Sequence, residues 1–258
     1  MKHCSFVILL FVLHSLNLCA QFHKKPLWRD EFNGKGTPNT AMWTRSITKP
    51  GAQLSAYCDD DSNAYLKSGK LHLRLMKTDD KEIPYKSGRL IVKKEYHFTK
   101  GRLVVRAKAP VSAGTWAAIW LNGPKTKDGY FAELDLMEHV SKMGDDKFEA
   151  VYHLWGDLGG KKGNHMSWGK DVPVNVGEWH IYTLEIFDDS IVMKVDNKAR
   201  YTIRKGDYGE EWPSNQEYSL RLALAYGGYG ASKTGIDDSA LPTEMLVDYV
   251  RFYPSKEN

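Results

Sequence analysis

The chain has 258 residues, a formal net charge of +4 and hydrophobic residues at 42%. So mild a charge gives no reason to expect a nucleic-acid partner. The apolar content is enough for a core that needs no staple. Three cysteines are present, two of them within the first twenty residues, so an exported domain would have no internal disulfide.

Residues 1–20 read as a secretory signal peptide. Lys2 and His3 open it, and Phe6 to Leu13 is an apolar run too short to span a membrane as a helix. Leu18-Cys19-Ala20 precedes Gln21, with a small residue at the cleavage edge. Secretion or a periplasmic location is expected. Lipid anchoring through Cys19 is the less favoured alternative, because Leu18 is bulky where a small residue is wanted. Residues 21–258 then form one domain, expected to be monomeric. No later run is long enough to span a membrane as a helix, and no repeat or linker breaks the sequence.

The domain opens with a short strand and turn over 27–34. Leu71-His72-Leu73-Arg74-Leu75 alternates after the Ser68-Gly69-Lys70 turn, and Leu90-Ile91-Val92 follows Ser87-Gly88-Arg89. Residues 101–110 alternate and end at Pro110, and 116–121 is apolar. Further strands are expected at 133–138, 149–154, 180–187, 191–195, 199–203, 219–225 and 245–253. Gly, Pro, Asn and Asp separate them, and no stretch holds a helical period, which is the pattern of an all-β sandwich. Residues 156–172 and 205–216 read as loops.

Glu133-Leu134-Asp135-Leu136-Met137-Glu138 carries three carboxylates within six residues. In a strand, Glu133 and Asp135 share one face while Leu134 and Leu136 point to the other. Strict alternation would bury Glu138 unpaired, at a cost of several kcal/mol. One extra residue at Met137, a β-bulge, returns Glu138 to the face of Glu133 and Asp135. Close like charges raise at least one pKa, so a protonated acid can sit beside an ionised one. Retaining glycoside hydrolysis uses such a pair. The bland alternative is an exposed strand face that merely carries charges.

The markers WRDEFNG (28–34), SGKLHLRL (68–75), SGRL (87–90), FTKGRLVVRAKAP (98–110), GTWAAIW (114–120), ELDLME (133–138), GEWHIYTLEI (177–186), GIDDSALP (235–242) and VDYVRFY (247–253) run in order. With them the chain resembles glycoside hydrolase family 16 over nearly its whole length. The resemblance implies a two-sheet β-jelly roll, concanavalin A-like, with a concave substrate cleft. It also implies retaining endo-hydrolysis of β-linked glycans. The extra Met137 matches the bulged, laminarinase- and agarase-like branch.

By the same resemblance Glu133 is the nucleophile, Glu138 the acid/base, and Asp135 the group that tunes Glu133; no cofactor is required for catalysis. Arg89, His153, Tyr57, Asn63 and Tyr229 fall where the family places residues in or around the cleft. The spacing of Trp116 and Trp120 puts both on one strand face, either lining the cleft or packed in the core. Glu31, Gly69 and Asp248 match a structural calcium site on the convex side of several members, the alternative being that both acids pair with basic neighbours. The chain departs from the laminarinase pattern just before the motif: no Trp opens Asp128-Gly129-Tyr130-Phe131-Ala132, and Ala132 stands where relatives carry Gly. Lys161, Lys162 and His165 form a polar segment that is either solvated or in contact with an anionic glycan. The leading reading is a laminarinase-like enzyme cutting β-1,3 or mixed β-1,3/1,4 glucan. The alternatives are an endo-β-1,4-galactosidase on host O-glycans, keratan or algal galactans and, in a different class, a non-catalytic lectin. A transglycosylase would use the same acids.

Overall fold

The computed structural model describes residues 21–124, 130–141, 146–158, 161–207, 216–228 and 235–256, apart from the side chains of 157–158 and 161–164. Residues 1–20 and Tyr229 lie outside that set. The described residues form seventeen strands, with 3-10 turns at Lys94–Tyr96 and Asp238–Ala240. In chain order the strands are β1 (Trp28–Asp30), β2 (Trp43–Arg45), β3 (Ser55–Tyr57), β4 (Ala64–Lys67), β5 (Lys70–Lys77), β6 (Tyr85–Ser87), β7 (Arg89–Val92), β8 (Gly101–Lys108) and β9 (Thr115–Asn122). They continue as β10 (Phe131–Val140), β11 (Phe148–Leu158), β12 (Lys161–Val172), β13 (His180–Ile186), β14 (Ser190–Val195), β15 (Lys198–Arg204), β16 (Ser219–Tyr226) and β17 (Thr243–Pro254).

Two sheets stack as a jelly-roll sandwich. One runs β15-β14-β13-β8-β17-β5-β6-β3, with β1 added on β17 and β4 on β5. The other runs β12-β11-β10-β9-β16-β7-β2. Strands β5 and β8 alternate between buried and partly exposed residues, as a sheet with one face on the core requires. Leu71, Leu73, Leu103, Val105, Leu184 and Val250 meet Ile119, Leu121, Leu134, Tyr152, Leu220 and Leu222 from the facing sheet. Each buried aliphatic side chain contributes about 1.5–3 kcal/mol.

Strands β10 and β16 are buried on both sides for most of their length. Their second face is covered because the seven-stranded sheet forms the floor of a cleft. Residues 161–172, expected to be a loop, are instead the edge strand β12, paired with β11 over ten register positions from Phe148↔Val172 to Leu158↔Lys161. Gly, Lys, Asn and Ser disguise the alternation there. The hydrogen bonds come from β11, so the strand needs little β-propensity of its own. Most of the expected 205–216 loop lies outside the described residues.

The short strands β2, β3, β4 and β6 were not legible in the sequence. Each has only three or four residues, too few for alternation to register. Gly69 sits at φ +69 after Ser68 at φ +53, in the two-residue turn joining β4 to β5. Positive φ at both turn positions is the geometry of a tight hairpin, and glycine adopts it without steric cost.

Candidate active site

Strand β10 places the acids. Against β9, Asp135 faces Trp120 and Met137 faces Ile119, so the register slips at Leu136. Against β11, Asp135 faces Val151 and Glu138 faces Glu149, leaving Leu136 and Met137 opposite Ala150 alone. This is the expected bulge. Leu134, Leu136 and Met137 all join the core, at no more than 1% exposure, and Glu133, Asp135 and Glu138 are left on the cleft face.

The register also orders the cleft floor into rows across the sheet. One row is Ser219, Asn122, Glu133, His153 and Ser167. The next is Ile91, Arg221, Trp120, Asp135, Val151 and Gly169, and a third is Arg89, Ala223, Ala118, Glu138, Glu149 and Asp171. Their lining side chains, with Trp116, Trp155 and His165, enclose a cavity of about 870 Å³. Ala118, Ala223 and Ala225 keep its floor low; larger side chains there would fill it.

Indole N–H groups hold the two glutamates. Trp116 Nε1 donates to Glu138 Oε1 at 2.9 Å, and Trp155 Nε1 donates to Glu133 Oε1 at 3.4 Å. Asp135 lies between them at 4% exposure, its Oδ2 3.0 Å from His153 Nε2. His153 Nδ1 in turn lies 2.8 Å from His165 Nε2, and His165 stacks flat on Trp155 at 3.6 Å. Burial raises Glu133 to about 7, with repulsion from Asp135 adding to it. Burial also raises Glu138 to about 7, again reinforced by Asp135, while the Trp116 bond pulls the other way. Burial first and Glu149 second raise Asp135 to about 8. Burial lowers His153. At neutral pH Asp135 is therefore a neutral carboxyl, and its O–H donates to a neutral imidazole.

Glu133, Asp135 and His153 have potential ligand atoms within 4.8 Å of one another. The hydrogen bonding and shared burial just described account for that closeness.

Of the other expected residues, Trp116, Trp120, Arg89, His153 and Tyr57 line the cleft. Trp116 and Trp120 are therefore cleft residues, as their shared face allowed, rather than core packing. Asn63 does not line it. It is fully buried, and its Nδ2 donates to the carbonyl of Arg74 at 3.0 Å, tying the turn before β4 to β5. Tyr229 lies outside the described residues. Glu31 and Asp248 are paired with basic neighbours, the alternative to calcium that the sequence left open. Arg251 grips Glu31 with two bonds of 2.8 and 2.7 Å, and Arg106 holds Asp248 at 2.5 Å, so both carboxylates already carry a cation partner. Gly69 serves the hairpin turn. Ala132 is fully buried, and Cys58 is a free thiol raised by burial. Sequence reasoning missed Trp155 and Arg221. Trp155 lies two residues beyond His153, so alternation on β11 would have found it. Arg221 stands out as the one charge in Leu220-Arg221-Leu222-Ala223-Leu224.

Residues 52–251 match the model of Glycosyl hydrolases family 16. The chain belongs to this family and is an O-glycosyl hydrolase of β-jelly-roll fold. It is 30% identical over 253 residues to a beta-glucanase of Rhodothermus marinus, covering 90% of this chain and 85% of the relative. A keratan-sulfate endo-1,4-beta-galactosidase of Sphingobacterium multivorum is 29% identical, with 88% of this chain and 54% of the relative covered. Among solved structures, the laminarinase from Rhodothermus marinus superposes with a TM-score of 0.80 at 26% identity, over 92% of this chain and 99% of the other. A structure from work on endo-acting O-glycanases that human gut microbiota use to initiate mucin breakdown superposes at 0.77 and 30% identity, over 90% and 91%.

Proposed function

We propose that this protein is a retaining endo-β-glycan hydrolase acting on β-1,3 or mixed β-1,3/1,4 glucan. The observation that carries the reading is the return of Glu138, by the bulge at Leu136–Met137, to the face that holds Glu133 and Asp135. Glu133 attacks the anomeric carbon and forms a glycosyl-enzyme as Glu138 protonates the leaving oxygen. Glu138 then takes a proton from water, which displaces Glu133 and restores the anomeric configuration. Asp135, neutral, lessens the charge that Glu133 and Glu138 would otherwise face together. Carboxyls and water suffice for these steps. A lectin would have no use for three carboxyls raised together in one cleft.

A second reading, an endo-β-1,4-galactosidase on O-glycans or keratan, is favoured by two relatives. Both the O-glycanase structure and the keratan-sulfate enzyme match this chain about as closely as the glucanase does. Export by the signal at residues 1–20 and action as a monomer complete the proposal. Incubation with laminarin, mixed-linkage glucan, agarose, carrageenan, keratan and mucin, read by product size, tests it. Cleavage of laminarin or mixed-linkage glucan supports the lead; cleavage confined to keratan or mucin selects the second reading.

A further inference from the structure

Across the alanine floor from Glu138 stand two arginines with no acidic partner. Arg89 on β7 and Arg221 on β16 are diagonal neighbours, because Ala223 pairs with Arg89 and Arg221 with Ile91. Diagonal positions of adjacent strands lie about 7–8 Å apart. Six other arginines form ion pairs, from Arg29 with Glu31 to Arg251 with the same acid. These two form none among the described residues. The Arg89 guanidinium lies 4.2 Å over the ring of Tyr57, and its Nε donates to Ser46 Oγ at 2.8 Å. The Arg221 guanidinium lies 4.6 Å over Trp120, and its Nη1 is buried without a hydrogen-bond partner.

That arrangement is costly for the free protein. A buried donor left unsatisfied is destabilising, more so when charged. The two cations also oppose each other: burial first, and then the charge of Arg89, lowers Arg221 to about 10. Stacking on Tyr57 and Trp120 holds both forks in place; Arg89 also bonds Ser46 and the Tyr57 side chain, while Arg221 keeps its Nη1 for a third group. An anion between them would satisfy the buried donor and remove the repulsion together. Guanidinium forks match sulfate and carboxylate oxygens in a bidentate manner.

We propose that Arg89 and Arg221 form a subsite for an anionic substituent, a sulfate ester or a carboxylate, on a sugar bound in the cleft. Strand spacing puts Arg221 about 10 Å and Arg89 about 14 Å from β10 at the backbone. The charged unit is therefore one that flanks the scissile bond. Glu133 attracts Arg221 across Trp120, but no carboxylate of the trio reaches it. The inference rests on reading the cleft as a glycan-hydrolysing site, and it directs that reading toward decorated glycans.

Binding and turnover test the two separately. The Glu133→Gln variant, which holds glycan without cutting it, is titrated with keratan sulfate and with the same polymer after chemical desulfation. It is also titrated with sialylated mucin before and after sialidase treatment. One charge-assisted pair predicts at least about tenfold tighter binding to the charged member of a pair. The sulfate pair and the sialate pair distinguish the two anions. Adding Arg221→Gln or Arg89→Gln should bring that ratio close to one, and raising the salt should shrink it. Equal affinity for both members of both pairs overturns the inference, as does a ratio that survives the arginine variants. Should an arginine variant fail to fold, the comparison in the Glu133→Gln background still decides. Wild-type turnover of none of these polymers or of laminarin would overturn the hydrolase reading, and the binding ratio would still judge the subsite.

Discussion

Glu133 and Glu138 stand in similar surroundings, each partly buried and each capped by an indole N–H. Glu133→Gln keeps the shape and removes the nucleophile. It should lower kcat at least about a thousandfold with little change in melting temperature, since loss of a covalent route removes most of the acceleration. Glu138→Ala should lose most on poor leaving groups, and azide should partly restore turnover of an activated aryl glycoside. With both acids raised to about 7, the pH profile should be bell-shaped near neutrality, its limbs belonging to the coupled set rather than to single residues. Asp135→Asn keeps a neutral group beside both glutamates, so the optimum should stay near neutrality. The same variant tests stability. The native protein keeps protons on these carboxyls that the unfolded chain has released, so their contribution declines as pH rises from about 4 to about 8. Asn cannot ionise and still donates to His153. Its melting temperature should exceed wild type at pH 8–9 and match it at about pH 4 or below; a lower value at pH 9 would contradict the buried neutral carboxyl.

Strand β10 works because it is irregular. Deleting Met137 gives Glu-Leu-Asp-Leu-Glu, a regular strand with all three acids still on one face, so that variant should fold and retain measurable turnover. Inserting one Ala after Met137 sends Glu138 to the core side unless a wider bulge forms. Activity should drop to the level of Glu138→Ala, and stability should fall as a carboxyl is driven inward. Normal turnover by a folded insertion variant would refute the assignment of the bulge. The β11–β12 hairpin contributes in another way. It carries Trp155 and His165, whose stacked rings wall the cleft and contact Glu133 and His153.

The sandwich as a whole holds the cleft floor by packing. Leu222 is fully buried at the centre of β16, one residue from Arg221 on one side and Ala223 on the other. Leu222→Ala should cost about 2–5 kcal/mol. At roughly 2–4 °C per kcal/mol for a domain of this size, the melting temperature should fall by about 4–20 °C. On the convex side, the arginine pairing of Glu31 and Asp248 predicts that excess EDTA leaves the melting temperature unchanged. A drop of several degrees, reversed by calcium, would show that the ion competes with Arg251 and Arg106.

The sequence by itself determined the all-β class, twelve of the strands and the acids of β10. Long alternating segments such as 101–108 declare their buried face locally, and three acids among Leu and Met leave few ways to avoid burying a charge. Even the bulge was readable there, since regular alternation would have put Glu138 inside. Tertiary structure decided the rest. The short strands and β12 exist because a neighbour supplies their hydrogen bonds, and no local pattern records that. Asn63 looked like a cleft residue by position but is buried at a turn, its amide spent on the Arg74 carbonyl. Glu31 and Asp248 read as candidate calcium ligands in the sequence, and only folding brings Arg251 and Arg106 against them. Arg89 and Arg221, 132 residues apart in the chain, became an unpaired couple only when β7 and β16 lay side by side. A site of that kind depends on register between distant strands, and register is fixed by the packed core rather than by any single stretch of sequence.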